Sequence, residues 1–176
     1  MCPMNGSPLQ LDDFLCFAVY SAGHAFNRLY RPLLDRLGLT YPQYLAMVAL
    51  WEADDLTVGE LGHRLGLESS TLTPLLKRLE AMGLVSRTRD PKDERQVRIS
   101  LTSQGQALQA PACSVPAELT AASGMTPEEY LKIRDGLETL RAALTRADGQ
   151  VPPQPEACAS GASLPDRPEP GVDRGS

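Results

Sequence analysis

Aromatic residues are scarce in this 176-residue chain: one tryptophan, three phenylalanines and five tyrosines make up 5 % of it. Long apolar runs are missing as well. No window approaches the roughly eighteen uninterrupted apolar residues that a membrane span needs. The N-terminal MCPMNGSPLQ has neither a basic flank nor an apolar core, so it does not read as a secretory signal. A cytoplasmic chain with no membrane partner is the expectation. Cysteines are few and irregular (Cys2, Cys16, Cys113, Cys158), with no CxxC, and the two histidines, His24 and His63, stand at no ligand spacing from any of them. That pattern excludes a disulfide framework and argues against structural zinc. No metal or cofactor is expected.

Positive charge is in deficit overall, with a formal net charge of −5, which speaks against indiscriminate nucleic-acid binding. The average hides a local reversal. Between residues 77 and 98, Lys77, Arg78, Arg87, Arg89, Lys92, Arg95 and Arg98 stand against Glu80, Asp90, Asp93 and Glu94, a net +3 that leaves −8 elsewhere.

What is present is punctuation. Ser7-Pro8 suits a helix start, and apolar residues recur every three or four positions from Leu11 to Phe26. Pro32 is expected to end or kink this helix near Arg31. Thr40 or Tyr41 before Pro42 opens a second helix running to about Ala53. Thr57 caps a third, VGELGHRL, closed by Gly66. In ESSTLTPLLKRLEAMG, Ser69 or Ser70 is the expected cap, Gly83 the stop, and Leu72, Leu75, Leu76 and Leu79 the apolar face. Pro74 is tolerable there only near the first turn. The period then changes: LVSRTRD and QVRISL alternate as two strands around the polar turn DPKDER. A helical stretch from Thr102 is interrupted by Pro111 and Pro116. The last helix starts with Thr126, Pro127 and Glu129 as a capping box. Residues 148–176, rich in Pro, Gly and Ser, are expected to be a disordered tail.

Two short helices around the turn GLES, the second rich in hydroxyls and basic residues, form the pattern of a helix-turn-helix. Ser70, Thr71, Thr73 and Lys77 would lie on the face away from the leucines, the hydroxyls suited to base edges and phosphates. Lys77 and Arg78 suit phosphates. Arg87 belongs to the same basic segment. A hairpin tipped by Lys92 and Arg95 is narrow enough for a minor groove, with Asp93 placed to orient Arg95.

At these residues, ESSTLTPLLKRLEAMGLVSRTRDPKDERQVRISLT resembles the recognition helix and DER-tipped wing of MarR-type winged-helix repressors. TYPQYLAMVALWE and LDDFLCFAVYSA are similar, more narrowly, to the organic hydroperoxide sensor (OhrR) branch. The likeness runs from about Leu11 to Leu144, dense to Leu101. It implies a mainly α fold: a winged helix-turn-helix over 40–102 with a two-stranded wing, a flexible 1–7, and dimerisation helices over 8–38 and 103–147. It also implies a DNA-binding repressor, not an enzyme, acting as a homodimer on a palindromic operator.

Cys16 is locally discouraged from ionising, since Asp12 and Asp13 precede it by one turn. Phenols can help, because a hydroxyl donates to a thiolate. Tyr20, four residues on, shares its face. Tyr30, fourteen residues on, lies about 21 Å away along a straight helix and can meet Cys16 only across a two-fold dimer, as can Tyr41. The resemblance implies that Cys16 is the peroxide sensor and that Tyr30 and Tyr41 come from the second subunit. Tyr44 reads as a core or rim aromatic. Leu11, Phe14, Phe17, Leu29 and Leu33 would wall a site for an organic hydroperoxide. The branch's resolving cysteine after Val115-Pro116 is missing here, which leaves Cys113, Cys158 or a small thiol for that step. A repressor released by a non-covalent phenolic or aromatic ligand, and a thiol peroxidase, are the rival readings.

Overall fold

The computed structural model describes residues 10–91 and 93–148. Ser7-Pro8, Cys2, Lys92, Cys158 and nearly all of the tail lie outside the described residues. The chain forms two compact units, one ending at Tyr130 and one beginning at Leu131.

The first helix starts later than its apolar period suggests. Leu11–Asp13 make a single 3-10 turn, Phe14 is extended, and α1 runs from Leu15 to Asp35. Pro32 does not end it. The proline leaves the Arg28 carbonyl without its helical donor, a destabilising choice in isolation. The last turn holds because Leu34 is buried to 1 % and Leu33 and Leu37 pack on the same core. Beyond it, the Leu39 amide donates back to the Leu34 carbonyl at 3.1 Å, closing the helix.

Helix α2 (Tyr41–Glu52) opens as expected, with the Thr40 amide donating to Gln43 Oε1 at 2.8 Å. It is the spine of the core, with Ala46, Met47 and Leu50 fully buried. Helix α3 (Val58–Leu65) follows a capping box in which Thr57 Oγ1 accepts from the Glu60 amide and Glu60 accepts from the Thr57 amide. Gly66, at φ +64°, takes the left-handed turn that closes it. Gly62 is needed for a different reason: a Cβ there would sit 2.8 Å from the Leu67 carbonyl oxygen, so the turn into the next helix could not close this tightly.

Helix α4 (Ser69–Ala81) is capped at Glu68, one residue before the expected serines. Its Pro74 stands sixth in the helix, a turn further in than the sequence argument allowed. The carbonyl it deprives of a donor belongs to exposed Ser70, where water can serve. Leu72, Leu76 and Leu79 are fully buried and Leu75 nearly so.

The wing strands β2 (Val85–Arg89) and β3 (Val97–Leu101) pair antiparallel, Val85 opposite Leu101 and Arg89 opposite Val97. A third strand, β1 (Leu56–Thr57), pairs with β3 through Leu56–Ile99 and Thr57–Arg98, so the sheet has three strands in the order β1-β3-β2, not two. Two residues are too few to show an alternating period, and their partner lies some forty positions away.

The stretch after Thr102 becomes three helices, α5 (Ser103–Ala107), α6 (Gln109–Ala112) and α7 (Val115–Ser123). The breaks fall at Leu108 and at Cys113-Ser114, ahead of Pro116 and not on it, because proline fits the first turn of a helix. Pro111 likewise sits inside α6. Arg36, past the end of α1, is bridged to Glu118 of α7 at 2.7 Å. Helix α8 (Pro127–Asp148) begins with the expected Thr126–Glu129 box and carries exposed Leu131, Ile133, Leu137 and Leu144. No helix among the described residues is long and apolar enough to cross a membrane.

Candidate nucleic-acid interface and thiol site

Helix α4 turns its leucines inward and leaves Ser70, Thr71, Lys77 and Arg78 exposed, as the sequence pattern requires. Thr73 is half-buried, and its hydroxyl donates to the Ser69 carbonyl at 2.7 Å. Ser69 and Thr73 share a cleft of about 510 Å³ with Thr57, Val58, Gly59 and the wing residues Arg87, Arg95, Gln96 and Val97. The helix start and the wing therefore face one concave surface.

The basic residues of this surface are not equivalent. The Arg95 side chain is 96 % exposed. Asp93 takes the Arg95 backbone amide at 3.1 Å, while its carboxylate stands 3.9 Å from the guanidinium. It therefore shapes the loop more than it aims the side chain, contrary to the sequence expectation. Arg87 is paired with Glu80 at 3.5 Å, and its Nε is buried with no hydrogen-bond partner among the described residues. Arg98 is taken up by acids: Nε donates to Asp55 Oδ1 at 2.8 Å and Nη1 to Asp90 Oδ2 at 3.1 Å. These hydrogen bonds hold the Asp55 carboxyl below the usual carboxylate range and push Arg98 higher still. Lys77, Arg78 and Arg89 make no ion pair among the described residues and are the cations left for an outside anion.

The thiol region has a different character. Cys16, second residue of α1, is exposed and lies beside exposed Leu11, Phe14, Leu15 and Val19. The Tyr20 ring packs with its centroid 4.4 Å from that of His24 and 6.5 Å from that of Phe17, and no hydrogen bond joins it to Cys16 among the described residues. Tyr30 sits at the far end of the same unbroken helix, about 21 Å along its axis at 1.5 Å per residue. There it meets Tyr41 at 4.6 Å and Tyr44 at 6.1 Å between ring centroids. Burial, followed by the nearby phenols, pushes Tyr30 well above its ordinary pKa, and burial raises Tyr41 and Tyr44 also. All three thus stay neutral donors at physiological pH. Leu29 and Leu33 flank this end half-buried, far from Leu11 and Phe14, so the five proposed wall residues do not gather around one site within a chain.

Tyr44 is a core residue, 5 % exposed, with no hydrogen bond from its hydroxyl among the described residues. Its neighbour is Cys113: the two line a cleft of about 290 Å³ with Val48, Trp51 and Pro116, and Cys113 adds to the upward push that burial gives the Tyr44 phenol. Cys113 is exposed, on the phenol side of the fold. No group of three or more His, Cys, Asp or Glu side chains gathers as a metal site among the described residues. Sequence reasoning missed the acids Asp54, Asp55 and Asp90 around Arg98; the one signal was an adjacent Asp pair at the end of an apolar helix.

Comparison with known proteins agrees with this geometry. Residues 28–110 match the family described as transcriptional regulator SarA/Rot. The chain is 52 % identical over 144 residues to the HTH-type transcriptional regulator TtmR of Methylorubrum extorquens, covering 82 % of this chain and 74 % of that one. It is 43 % identical over 132 residues to the organic hydroperoxide resistance transcriptional regulator of Bacillus subtilis, covering 75 % and 90 %. Among solved structures it is similar to reduced AbfR bound to DNA, with a TM-score of 0.67, 37 % identity and coverage of 77 % and 93 %. AbfR, a Staphylococcus epidermidis protein, is also known overoxidised on DNA and in a disulfide form, at TM-scores of 0.63 and 0.54. A three-stranded winged helix-turn-helix, a long N-terminal helix carrying Cys16, and this set of relatives lead to one assignment: the chain belongs to the MarR-type winged-helix transcriptional regulators, in the organic hydroperoxide regulator branch.

Proposed function

We propose that this regulator is a peroxide-responsive repressor, a cytoplasmic homodimer that leaves its operator when Cys16 is oxidised by an organic hydroperoxide. The observation that carries the reading is the separation of thiol from phenols. One unbroken α1 holds Cys16 at its start and, toward its end, Tyr30, on which Tyr41 of α2 packs, so a single chain cannot bring thiol and phenols together. A two-fold partner with α1 antiparallel would place each thiol beside the other copy's phenols. The exposed apolar residues at the start of α1 give that partner a surface to cover.

On a palindromic operator, the two α4 helices would enter successive major grooves, with Ser70, Thr71 and Thr73 at base edges and Lys77 and Arg78 on phosphates. Arg95 would reach the minor groove, with Asp93 shaping its loop and Arg87 lining the cleft behind it. Residues 40–102 form the reading module, and 8–38 with 103–147 the dimerisation region.

In the oxidation step, the Cys16 thiolate attacks a peroxide oxygen. An S–O bond forms as the O–O bond breaks, and the alkoxide leaves as the alcohol after taking a proton, giving a sulfenic acid. A second thiol then attacks the sulfur and releases water, leaving a disulfide. Cys113 is favoured for this over Cys158, because it lies beside Tyr44 at the phenol end, where the second copy's Cys16 would arrive. A low-molecular-weight thiol serves the same chemistry. Either product disturbs the Tyr30/Tyr41 contacts and shifts the dimer toward a spacing that no longer fits DNA.

A rival reading has its own feature: a cleft of about 400 Å³ lined by Asn27, Arg31, Leu34 and Tyr41 that suits a non-covalent phenolic or aromatic inducer. Gel shifts on a duplex selected from a random-sequence library with the reduced protein test both. Peroxide should release wild-type protein and a reductant should restore binding, while Cys16→Ser should bind and ignore peroxide. A Cys16→Ser protein still released by peroxide would end the proposal.

A further inference from the structure

We propose that Arg98 is a positioning residue: by bridging Asp55 and Asp90 it makes the wing move as one body with α2. The bridge is built from three pieces of chain. Asp54 and Asp55 follow the end of α2 at Glu52 by two and three residues. Asp54 Oδ1 accepts the Leu101 amide of β3 at 2.8 Å, and Asp55 Oδ1 accepts from Ser100 Oγ at 3.1 Å and from Arg98 Nε at 2.8 Å. Arg98 Nη2 also donates to the Asp55 carbonyl oxygen. Asp55 holds this pose at φ +58°, the single non-glycine residue with positive φ among those described, a conformation that persists where surrounding contacts enforce it.

The other arm of the guanidinium goes to Asp90, the first residue after β2 and 8 % exposed. Asp90 governs the wing tip: its amide donates to the Gln96 carbonyl at 3.0 Å, and its Oδ1 accepts the Asp93 amide at 3.4 Å. One planar fork therefore joins the end of α2 to the root of the loop that presents Arg95. A lysine ammonium is a point charge and cannot occupy both carboxylates in that geometry. Without the fork, the pairing of β1 with β3, two residues wide, and the Asp54 and Ser100 contacts would carry the join.

The opposite end of α2 begins at Tyr41, packed on Tyr30. Twelve residues of helix, about 18 Å long, separate that ring from the clamp. A displacement of the phenols is thus delivered to the wing by a rigid strut with a fixed joint at its far end. This rests on the proposed roles of Arg95 in the groove and of the phenols as the moving end.

The test uses full-length protein and the selected duplex, read by fluorescence anisotropy, with Arg95→Ala, Arg98→Lys, Asp90→Asn and the Arg95→Ala/Arg98→Lys double variant. The expected result is a loss of roughly tenfold for Arg95→Ala and several-fold for Arg98→Lys and Asp90→Asn. The double variant should be no weaker than Arg95→Ala alone, because both act through one contact. In Arg98→Lys, the ratio of affinities before and after peroxide should also shrink, which a merely local loss of stability would not produce. Losses that add in full would overturn the positioning role and make Arg98 an independent contact, as would wild-type affinity in both Arg98→Lys and Asp90→Asn. If Arg95→Ala alone binds as wild type, the minor-groove reading fails. The clamp is then judged on amide exchange, where unchanged protection of Asp93 and Gln96 in Arg98→Lys, with α3 and α4 unchanged, overturns it. No peroxide response in wild-type protein would refute the oxidant reading separately from either result.

Discussion

The DNA-reading half and the thiol-bearing helix obey different rules. Between Thr40 and Thr102 the described chain completes itself: α2 and α3 open on capping boxes, the leucines of α4 are buried, and the wing is pinned by ion pairs. The first half of α1 does the reverse. It shows Leu15, Val19 and Tyr20 to solvent, places its thiol in the open, and leaves Tyr30 toward its other end, packed on Tyr41. A module that is finished alone can keep its sequence recognition while its partner moves. A helix unfinished alone would, under the proposed function, make the assembled pair the unit that senses.

Truncation separates the two most sharply. Leu76→Ala, in the fully buried row of α4, should cost about 2–5 kcal/mol in denaturant-induced unfolding. Leu15→Ala, 61–63 % exposed like its neighbour Leu11, should barely change the unfolding of a lone chain. It should instead weaken self-association in sedimentation experiments; an equal stability loss at both sites would erase the contrast. Next in size, Thr57→Ala removes the cap of α3 and should cost about 1 kcal/mol, with operator affinity falling only as α3 loosens beneath α4. Smaller again, Lys77→Ala should lower the slope of log affinity against log salt by about one charge, and an unchanged slope would exclude a phosphate contact.

The finest probe is pH. Tyr30, Tyr41 and Tyr44 are raised by burial, so the stability that favours their neutral form is fully present below the ordinary tyrosine range and is lost only as pH climbs through the raised values. Ultraviolet titration should find these three ionising above about pH 10 and together with unfolding. Asp55 works in the other direction. Its depressed carboxyl contributes above the ordinary aspartate range and gives way only when pH falls below about 4.

Much of the reading half was legible because its signals are local. Thr57 with Glu60 and Gly66 announce a helix within a few residues of themselves, and Thr126 with Glu129 do the same outside that half. Prolines were the weaker guide. Pro32 and Pro74 lie inside helices because buried Leu34 and the leucines of α4 outweigh one lost hydrogen bond. What stayed hidden was long-range: β1 finding β3, and Arg98, counted in sequence as one more basic charge, spending that charge on Asp55 and Asp90. The stacking of Tyr30 on Tyr41 joins two helices, and no spacing rule within one helix reports it.

Thr73 carries a further consequence. Its proton is committed to the carbonyl of Ser69, so what the hydroxyl still offers outward is lone pairs. Phosphate oxygens have no hydrogen to give it. The amino groups of adenine and cytosine do, so a Thr73 facing the groove, as proposed, would discriminate among letters of the duplex and be a poor grip on its rails.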